Sequence, residues 1–480
     1  MKSKSETIVI IGAGPSGLGA AYELTKNKRN NNLKIIVLDK NDLVGGLART
    51  HSKNGYRFDV GPHRFFTKNR EVLNLWKEIL GKDFIKVSRL TRMYYKGIFF
   101  LYPIEFSDII KKFGLKDLIE SAFSYFYAKV FYRNLEPNTF EEWITKYFGK
   151  KLYTVFFKSY TEKLWGVPCS EIGAEWAAQR IKNANFTEVI KNALLKNDKP
   201  KAKSWVDKFY YPIKGAGYMY ETLAKKLKRK GVIIKLNSKV IKVNHRNNRI
   251  ISVQYMEGKK KKTIKADAVF SSMPITHLVQ SFFPSPPKQV LHASRKLTFR
   301  DHITVNFMVK GTSAFPDNWI YIHDPGYFMT RVANFSNFTP KMAKDKKHMA
   351  IAVEYFAFQT DKLWQKTDNE LIDLAKSELE RSKLLDEGQI EDGFVVRETE
   401  SYPTYYLKQK KYFETIKSYL NDFRNLYLIG RGGMFKYNNM DHAIYTGMLA
   451  ARNFLAGKNK YNVWSVNIDA EYLEDGSSDS

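Results

Sequence analysis

Near the start of the chain stands Ile8-Val9-Ile10-Ile11-Gly12-Ala13-Gly14-Pro15-Ser16-Gly17, in which an apolar run meets a Gly-x-Gly-x-x-Gly turn. The helix-like segment Leu18-Gly19-Ala20-Ala21-Tyr22-Glu23-Leu24 follows, and a second apolar run, Ile35-Ile36-Val37-Leu38, ends in Asp39. This succession predicts a strand, a glycine turn, a helix and a second strand. In that context the glycine pattern is typical of a dinucleotide-binding site.

The glycines and the acid of this unit each have a physical role in such a site. Gly12 allows the tight turn, Gly14 lets the backbone approach a pyrophosphate, and Gly17 lets the helix and the strand pack closely. The helix N-terminus presents free N–H groups and the positive end of its dipole to the phosphates. Asp39 stands at the spacing expected for an acid that binds the ribose, and its charge argues against NADP. An ordinary glycine-rich turn without a nucleotide is the alternative interpretation.

The chain has 480 residues and a net charge of +30. Such a charge can attract nucleic acid, anionic lipid or a diphosphate substrate, or it can belong to a solvated lysine-rich surface. The longest basic run, Lys259-Lys260-Lys261-Lys262, lies between two strand-like runs and therefore indicates a hairpin tip. We expect no nucleic-acid partner and leave peripheral membrane contact open.

Cysteine content and the length of apolar runs restrict the compartment and the metal chemistry. Cys169 is the single cysteine, so no disulfide forms within the chain, no zinc cluster is available, and a reducing compartment fits. The N-terminal residues 1–7 are too short and polar for a signal peptide, and no run of about eighteen apolar residues indicates a membrane span. We therefore expect a cytoplasmic protein without a metal site.

The length of the chain predicts more than one domain. The patterns predict an α/β protein: a Rossmann-like nucleotide-binding domain, an inserted helical block and an antiparallel β-sheet substrate domain. Helical periodicity dominates residues 71–204, and strand alternation recurs through residues 273–419. The nucleotide-binding domain is expected in three pieces (1–70, 205–272 and 420–458), followed by a C-terminal extension (459–480) with a disordered acidic end.

Further motifs lie in order over nearly the whole chain. They are Gly45-Gly46-Leu47-Ala48-Arg49, Asp59-Val60-Gly61-Pro62-His63-Arg64-Phe65, Lys158-Ser159-Tyr160-Thr161-Glu162-Lys163-Leu164-Trp165-Gly166, Phe328-Met329-Thr330-Arg331, Ser401-Tyr402-Pro403-Thr404 and Gly430-Arg431-Gly432-Gly433-Met434-Phe435-Lys436-Tyr437-Asn438-Asn439-Met440-Asp441. Together with the glycine turn they resemble the superfamily of flavin-dependent amine oxidases, protoporphyrinogen oxidases and UDP-galactopyranose mutases. The finer motifs are similar to the mutase branch. The resemblance implies FAD, rather than NAD, as the cofactor.

The resemblance also implies which residues form the site. The expected catalytic residues are His63 beside the flavin ring and Arg180 and Arg331 on a diphosphate. The expected substrate-binding residues are Trp165, Tyr402 and Tyr437. The expected cofactor-binding residues are Gly12, Gly14, Gly17, Asp39, Gly46, Arg49, Val240, Arg431 and Met440.

Two enzymatic functions follow from the resemblance. The mutase branch implies a sugar-nucleotide mutase of glycan biosynthesis, which interconverts pyranose and furanose rings through an adduct between the sugar and N5 of reduced FAD. An FAD-dependent oxidase or desaturase is the alternative, and a flavin-binding scaffold with a decayed site is a third. Phe66 stands where the bacterial mutases carry a second histidine, and the uridine-binding stretch after Arg180 is not recognisable. The sugar and the nucleotide therefore stay open.

Overall fold

The computed structural model describes residues 5–26, 32–104, 106–174, 176–177 and 208–467. Its strands are β1 (Glu6–Ile11), β2 (Leu33–Leu38), β3 (Thr50–Lys53), β4 (Tyr56–Asp59), β5 (Phe84–Ser88), β6 (Thr91–Tyr95), β7 (Ile98–Leu101), β8 (Lys208–Pro212), β9 (Ile233–Lys235), β10 (Val240–Arg246), β11 (Arg249–Glu257), β12 (Lys260–Lys265), β13 (Ala268–Ser271), β14 (Phe282–Phe283), β15 (Phe299–Lys310), β16 (Trp319–Ile322), β17 (Arg331–Asn334), β18 (His348–Ala357), β19 (Ile390–Pro403) and β20 (Leu426–Leu428). Its helices are α1 (Pro15–Leu24), α2 (Arg70–Leu80), α3 (Phe106–Lys112), α4 (Leu115–Phe131), α5 (Phe140–Tyr153), α6 (Ser159–Trp165), α7 (Gly217–Arg229), α8 (Ile275–Gln280), α9 (Lys288–Lys296), α10 (Lys362–Gln365), α11 (Asp368–Arg381), α12 (Lys410–Asn421), α13 (Gly430–Gly433) and α14 (Met440–Ala456).

A parallel sheet in the order β20-β13-β1-β2-β9 lies behind the glycine turn. Ile8 of the central strand β1 pairs with Ala268 on one side and with Ile35 on the other. These strands read as continuous apolar runs because a parallel sheet is covered on both faces. Segments that are distant in the chain thus build one sheet, which confirms the predicted α/β class. The exact domain boundaries stay predictions.

Helices α1 and α14 cross very closely over this sheet. A Cβ atom added to Gly447 of α14 would lie 1.9 Å from the carbonyl oxygen of Ser16. A Cβ added to Gly19 of α1 would lie 2.5 Å from the carbonyl oxygen of Ile444. Only glycine fits at such distances, so the two helices are in backbone contact. This contact ties the end of the chain to the glycine turn at its beginning.

The second large sheet has seven strands in the order β19-β15-β18-β17-β16-β6-β7. Its pairs are antiparallel except β16 with β6, which is parallel, so the predicted antiparallel substrate sheet is present with one mixed edge. Strands β6 and β7 come from residues 91–101, inside the block predicted to be helical. That block therefore contains strands as well as helices α2 to α6.

A third, four-stranded sheet has the order β12-β11-β10-β14. The basic run Lys259–Lys262 lies at the β11–β12 hairpin, as predicted, and Lys262 forms an ion pair with Glu257. None of the helices in the described ranges is long and apolar enough to cross a bilayer.

Candidate active site

The glycine turn and the acid after β2 are joined directly. Gly12 has a φ of +106°, which favours glycine, and the following Ala13 N–H donates to Asp39 Oδ2 at 2.6 Å. The Asn41 N–H donates to Asp39 Oδ1 at 2.8 Å. Burial raises the pKa of the Asp39 carboxyl, and these N–H groups oppose that rise. Asp39 thus fixes the turn, and its contact with a ribose stays a prediction.

A second glycine segment lies against the first turn. A Cβ on Gly46 would lie 3.2 Å from the Cα of Gly14, and a Cβ on Gly17 would lie 1.9 Å from the carbonyl oxygen of Gly12. Gly14 begins α1 without a capping side chain. The first N–H groups of α1 are therefore presented at an all-backbone surface, which is the geometry that binds phosphate.

Arg49 continues this segment as a buried cation. It donates to the carbonyl oxygen of Gly46 at 2.8 Å and forms an ion pair with Glu398 of β19. Burial raises the pKa of Glu398, and the Arg49 charge opposes the rise. Arg49 therefore connects the glycine segment to the seven-stranded sheet.

Val240 and Met440 lie at two further edges of this region. Val240 begins β10, just after Ser238, whose N–H donates to the carbonyl oxygen of Asp39 at 2.6 Å. Met440 begins α14. Just before it, the side-chain amide of Asn438 is buried, and neither of its polar atoms has a hydrogen-bond partner among the described protein groups. A buried amide in this state is satisfied by a water molecule or by a polar group of a bound ligand.

Arg331, at the start of β17, is held by Glu354 of the neighbouring strand β18, which His302 of β15 contacts from the other side. Its Nε donates to Glu354 Oε1 at 2.7 Å and its Nη2 to Glu354 Oε2, and His302 Nε2 lies 2.8 Å from the same Oε2. Burial acts to raise the pKa of Glu354, but the Arg331 charge and the His302 hydrogen bond lower it to about 2. Burial acts to lower the pKa of Arg331, but the Glu354 charge raises it well above its usual value. The ion pair is therefore charged at neutral pH.

Arg431 lies between two tyrosine rings. Its Cζ is 4.9 Å from the ring centroid of Tyr402 and 4.8 Å from that of Tyr437. The guanidinium also donates to the carbonyl oxygens of Asn438 and Ser401, at 2.9 and 3.0 Å. Burial raises the pKa of the Tyr402 hydroxyl, so this group is a neutral donor at physiological pH. The cation and the rings fix one another.

His63 lies within electrostatic reach of both arginines. Burial, followed by the charges of Arg431 and Arg331, lowers the pKa of His63 to about 3. Its Nδ1 lies 3.1 Å from the carbonyl oxygen of Gly61. Because a carbonyl only accepts, the neutral ring carries its proton on Nδ1 and leaves Nε2 as an acceptor.

The loop that carries His63 is anchored by a buried acid, Asp59. Its Oδ2 accepts from the Tyr211 hydroxyl at 2.5 Å, and both of its oxygens accept from the Ala216 N–H at 3.1 Å. Thr50 donates to its Oδ1 at 2.6 Å. Burial raises the pKa of Asp59 to about 6, and these donors oppose the rise. The end of β4 is thereby fixed two residues before Gly61.

Helix α6 adds a tyrosine to the cluster and is fixed by a lysine. The hydroxyl of Tyr160 is buried, which raises its pKa, and the Arg331 charge opposes that rise. One turn later, Lys163 Nζ lies within hydrogen-bond distance of four carbonyl oxygens from the end of β16 to the start of β17: Ile322 at 2.6 Å, Asp324 at 3.1 Å, Met329 at 3.2 Å and Tyr327 at 3.3 Å. Lys163 therefore ties Tyr160 to the turn that precedes Arg331.

Trp165 is placed in the packing of the helical block. Its side chain is buried, with Trp176 at 4.9 Å and Tyr405 at 6.1 Å between ring centroids, both edge-on. The Tyr405 hydroxyl in turn accepts a hydrogen bond from the Tyr437 N–H at 2.5 Å. Trp165 thus supports the wall that carries Tyr437, and its contact with a substrate stays a prediction.

The structure brings His63, Arg331, Tyr402, Tyr437 and Arg431 into one cluster. Arg180 lies outside the described residues. Sequence reasoning missed His302, Glu354 and Asp59. The run Met349–Ala357 held a signal for Glu354, since a lone acid among apolar strand residues is buried and requires a cationic partner.

Comparison with known proteins places this geometry among flavoproteins. A Klebsiella pneumoniae protein described as "Probable UDP-galactopyranose mutase" is 30% identical over 175 residues, which are 35% of this chain and 44% of the relative. The dTDP-fucopyranose mutase of Escherichia coli is 28% identical over 170 residues, again 35% of this chain and 44% of the relative. The alignments thus span less than half the length of these two curated relatives.

The likeness in fold extends over nearly the whole chain. A crystal structure of reduced UDP-galactopyranose mutase superposes with a TM-score of 0.85 and 21% identity, over 98% of both chains. The family model for flavin containing amine oxidoreductases matches residues 15–455. Its match begins one residue after Gly14 and runs through the arginine–tyrosine cluster, over most of the chain, so the chain belongs to the flavin containing amine oxidoreductase family.

Proposed function

We propose that this chain is an FAD-dependent sugar-nucleotide mutase that interconverts the pyranose and furanose forms of a nucleotide sugar. The observation that carries the proposal is the cluster in which Arg331 and Arg431 flank neutral His63 and the phenols Tyr402 and Tyr437. Two cations with neutral donors match a diphosphate. The two mutases among the relatives are named for nucleoside-diphosphate sugars, UDP-galactopyranose and dTDP-fucopyranose.

The residues of the glycine region fit FAD. The backbone surface of Gly14 and Gly46 and the uncapped start of α1 suit a pyrophosphate. The buried amide of Asn438, which lacks a protein partner among the described groups, belongs to the residue whose backbone carbonyl accepts from Arg431, and it suits a polar ring edge. A flavin held there in its reduced form supplies the nucleophile for the anomeric carbon.

Arg331 suits the departing diphosphate because Glu354 has already fixed its orientation. Glu354 engages Nε and Nη2, which leaves the Nη1 edge of the planar guanidinium directed away from the carboxylate. An arginine prepared in this way binds phosphate oxygens without losing further side-chain freedom. The Tyr402 and Tyr437 hydroxyls donate to the same phosphates.

His63 contributes a neutral acceptor. Its low pKa keeps the imidazole uncharged throughout the physiological range. Nε2 is then available to accept a hydrogen bond from an N–H or O–H group of the cofactor or the sugar, while two neighbouring guanidinium groups supply the positive charge. Positive charge for the diphosphate and a neutral hydrogen-bond acceptor are therefore supplied by different residues.

The oxidase or desaturase alternative places different demands on the same site. Such a reaction requires oxidised flavin and an electron acceptor, and it gives two partly buried arginines with oriented guanidinium groups no anionic group to hold. A nucleotide-sugar substrate accounts for both arginines and both phenols, so we favour the mutase.

The test compares Arg331→Ala with a matched control, Arg249→Ala, which removes an exposed arginine at the start of β11. Both proteins are reduced with dithionite and incubated anaerobically with UDP-galactofuranose or dTDP-fucofuranose, and the nucleotides are separated by chromatography. We expect the control to convert one donor to its pyranose and Arg331→Ala to lose conversion while it retains flavin. Heat-released cofactor that elutes as FAD supports the cofactor assignment. Full turnover by Arg331→Ala would contradict the assignment of that residue.

A further inference from the structure

Helix α4 exposes a continuous apolar stripe. Leu115, Ile119, Phe123 and Val130 are 76%, 61%, 72% and 70% exposed. Residues spaced by four, eight and fifteen positions lie on one side of a helix, and Phe126 extends the same side. Large apolar side chains rarely gather on an exposed face of a protein that has no binding partner there. The stripe is therefore a candidate docking surface.

The other side of α4 is firmly packed. Ser121, Tyr125 and Ala128 are buried. A Cβ on Gly149 of α5 would lie 2.8 Å from the backbone of Ser124, so the two helices are in backbone contact there. The apolar stripe is thus held outward by a fixed helix and is not a core face.

Basic residues border the stripe. Lys111, Lys116, Lys129 and Arg133 are exposed on or beside α4. The acids of the helix, Asp117 and Glu120, both form ion pairs with Lys151 of α5. The charge left around the apolar stripe is therefore positive, in keeping with the net charge of +30 for the chain.

We propose that this face of α4 docks on an anionic membrane surface. Phenylalanine, isoleucine and valine side chains enter the boundary between headgroups and acyl chains, while the flanking lysines remain at the level of the phosphates. Charge decides between a membrane and a second copy of the chain. Two copies would bring like-charged lysine borders together, whereas anionic lipid complements them. This docking is independent of the reaction proposed above.

The test measures co-sedimentation of the full flavin-loaded chain with vesicles of phosphatidylcholine, with or without phosphatidylserine. The variant is Phe123→Ser with Phe126→Ser, and the matched control is Phe283→Ser, which removes a 53% exposed ring from the four-stranded sheet. Both variants should unfold at the wild-type midpoint, because they change exposed side chains.

We expect binding to the anionic vesicles only, weakened by salt. The double variant should lower the bound-to-free ratio about tenfold or more, since burial of one phenylalanine side chain is worth at least that factor. The control should bind as wild type does. Equal binding by the double variant, or no binding by the wild type, would overturn the proposal. Self-association that the double variant abolishes, without vesicle binding, would assign the face to a second copy instead.

Discussion

Replacement of Glu354 by glutamine is the most informative single change to the structure. Glu354 is fully buried and accepts from Arg331 and His302 on adjacent strands. Removal of one partner from a buried ion pair costs about 3–5 kcal/mol, because the other charge is left without compensation. Glutamine keeps the shape and one acceptor oxygen, so we expect the lower end of that range, about 3 kcal/mol.

The assay is urea unfolding followed by intrinsic fluorescence, with Glu257→Gln as the matched control. Glu257 also pairs with two cations, Lys235 and Lys262, but it does so at the surface, where solvent screens the pairs. We expect the control to keep the wild-type midpoint and Glu354→Gln to unfold at clearly lower urea. Turnover by Glu354→Gln should also fall, because Arg331 loses its fixed orientation. A wild-type midpoint for Glu354→Gln would refute this account of the buried pair.

Three further predictions concern the same framework. The pKa of Glu354 in the folded chain is about 2, below its ordinary value of 4.5. The stability that the Glu354 carboxylate contributes is therefore complete above pH 4.5 and is lost as the pH falls towards 2. The urea midpoint of Glu354→Gln should depend less on pH in this range than the midpoint of the wild type. Gly447→Ala places a Cβ against the carbonyl oxygen of Ser16, so we expect about 1–3 kcal/mol of destabilisation and loss of flavin on desalting. Flavin retention equal to that of the wild type would contradict the close crossing of α1 and α14. Lys163→Met removes four carbonyl contacts and should lower both the unfolding midpoint and turnover, whereas Lys260→Met at the exposed hairpin should change neither.

Local patterns identified the nucleotide-binding unit because its strands and its turn are encoded by neighbouring residues. The hairpin tip at Lys259–Lys262 was predicted in the same way, from the strand-like runs on either side of it. The parallel pairing of β6 with β16 joins Arg92 to Ile320, far apart in the chain, and no periodicity specifies such a partner. This is why residues 91–101 were assigned to a helical block.

The residues of the site also divide into those that a motif predicts and those that only the fold brings into place. His63, Arg331, Tyr402, Tyr437 and Arg431 were named from motif resemblance, and the structure brings them together; their roles stay predictions. What the resemblance did not supply is the support behind them. The Glu354 and Asp59 carboxylates hold their partners through strand pairing and burial. In the sequence each of them appears only as an isolated acid in apolar surroundings.

The balance of electrons tests the central claim most directly. Flavin-loaded protein is reduced once, freed of excess reductant under anaerobic conditions and given many equivalents of UDP-galactofuranose or dTDP-fucofuranose, while flavin absorbance and nucleotide products are followed together. A redox-neutral mutase converts many equivalents per flavin and leaves the flavin reduced. Flavin reoxidation in step with product, or turnover only by oxidised flavin with an electron acceptor, would contradict the mutase and indicate an oxidoreductase.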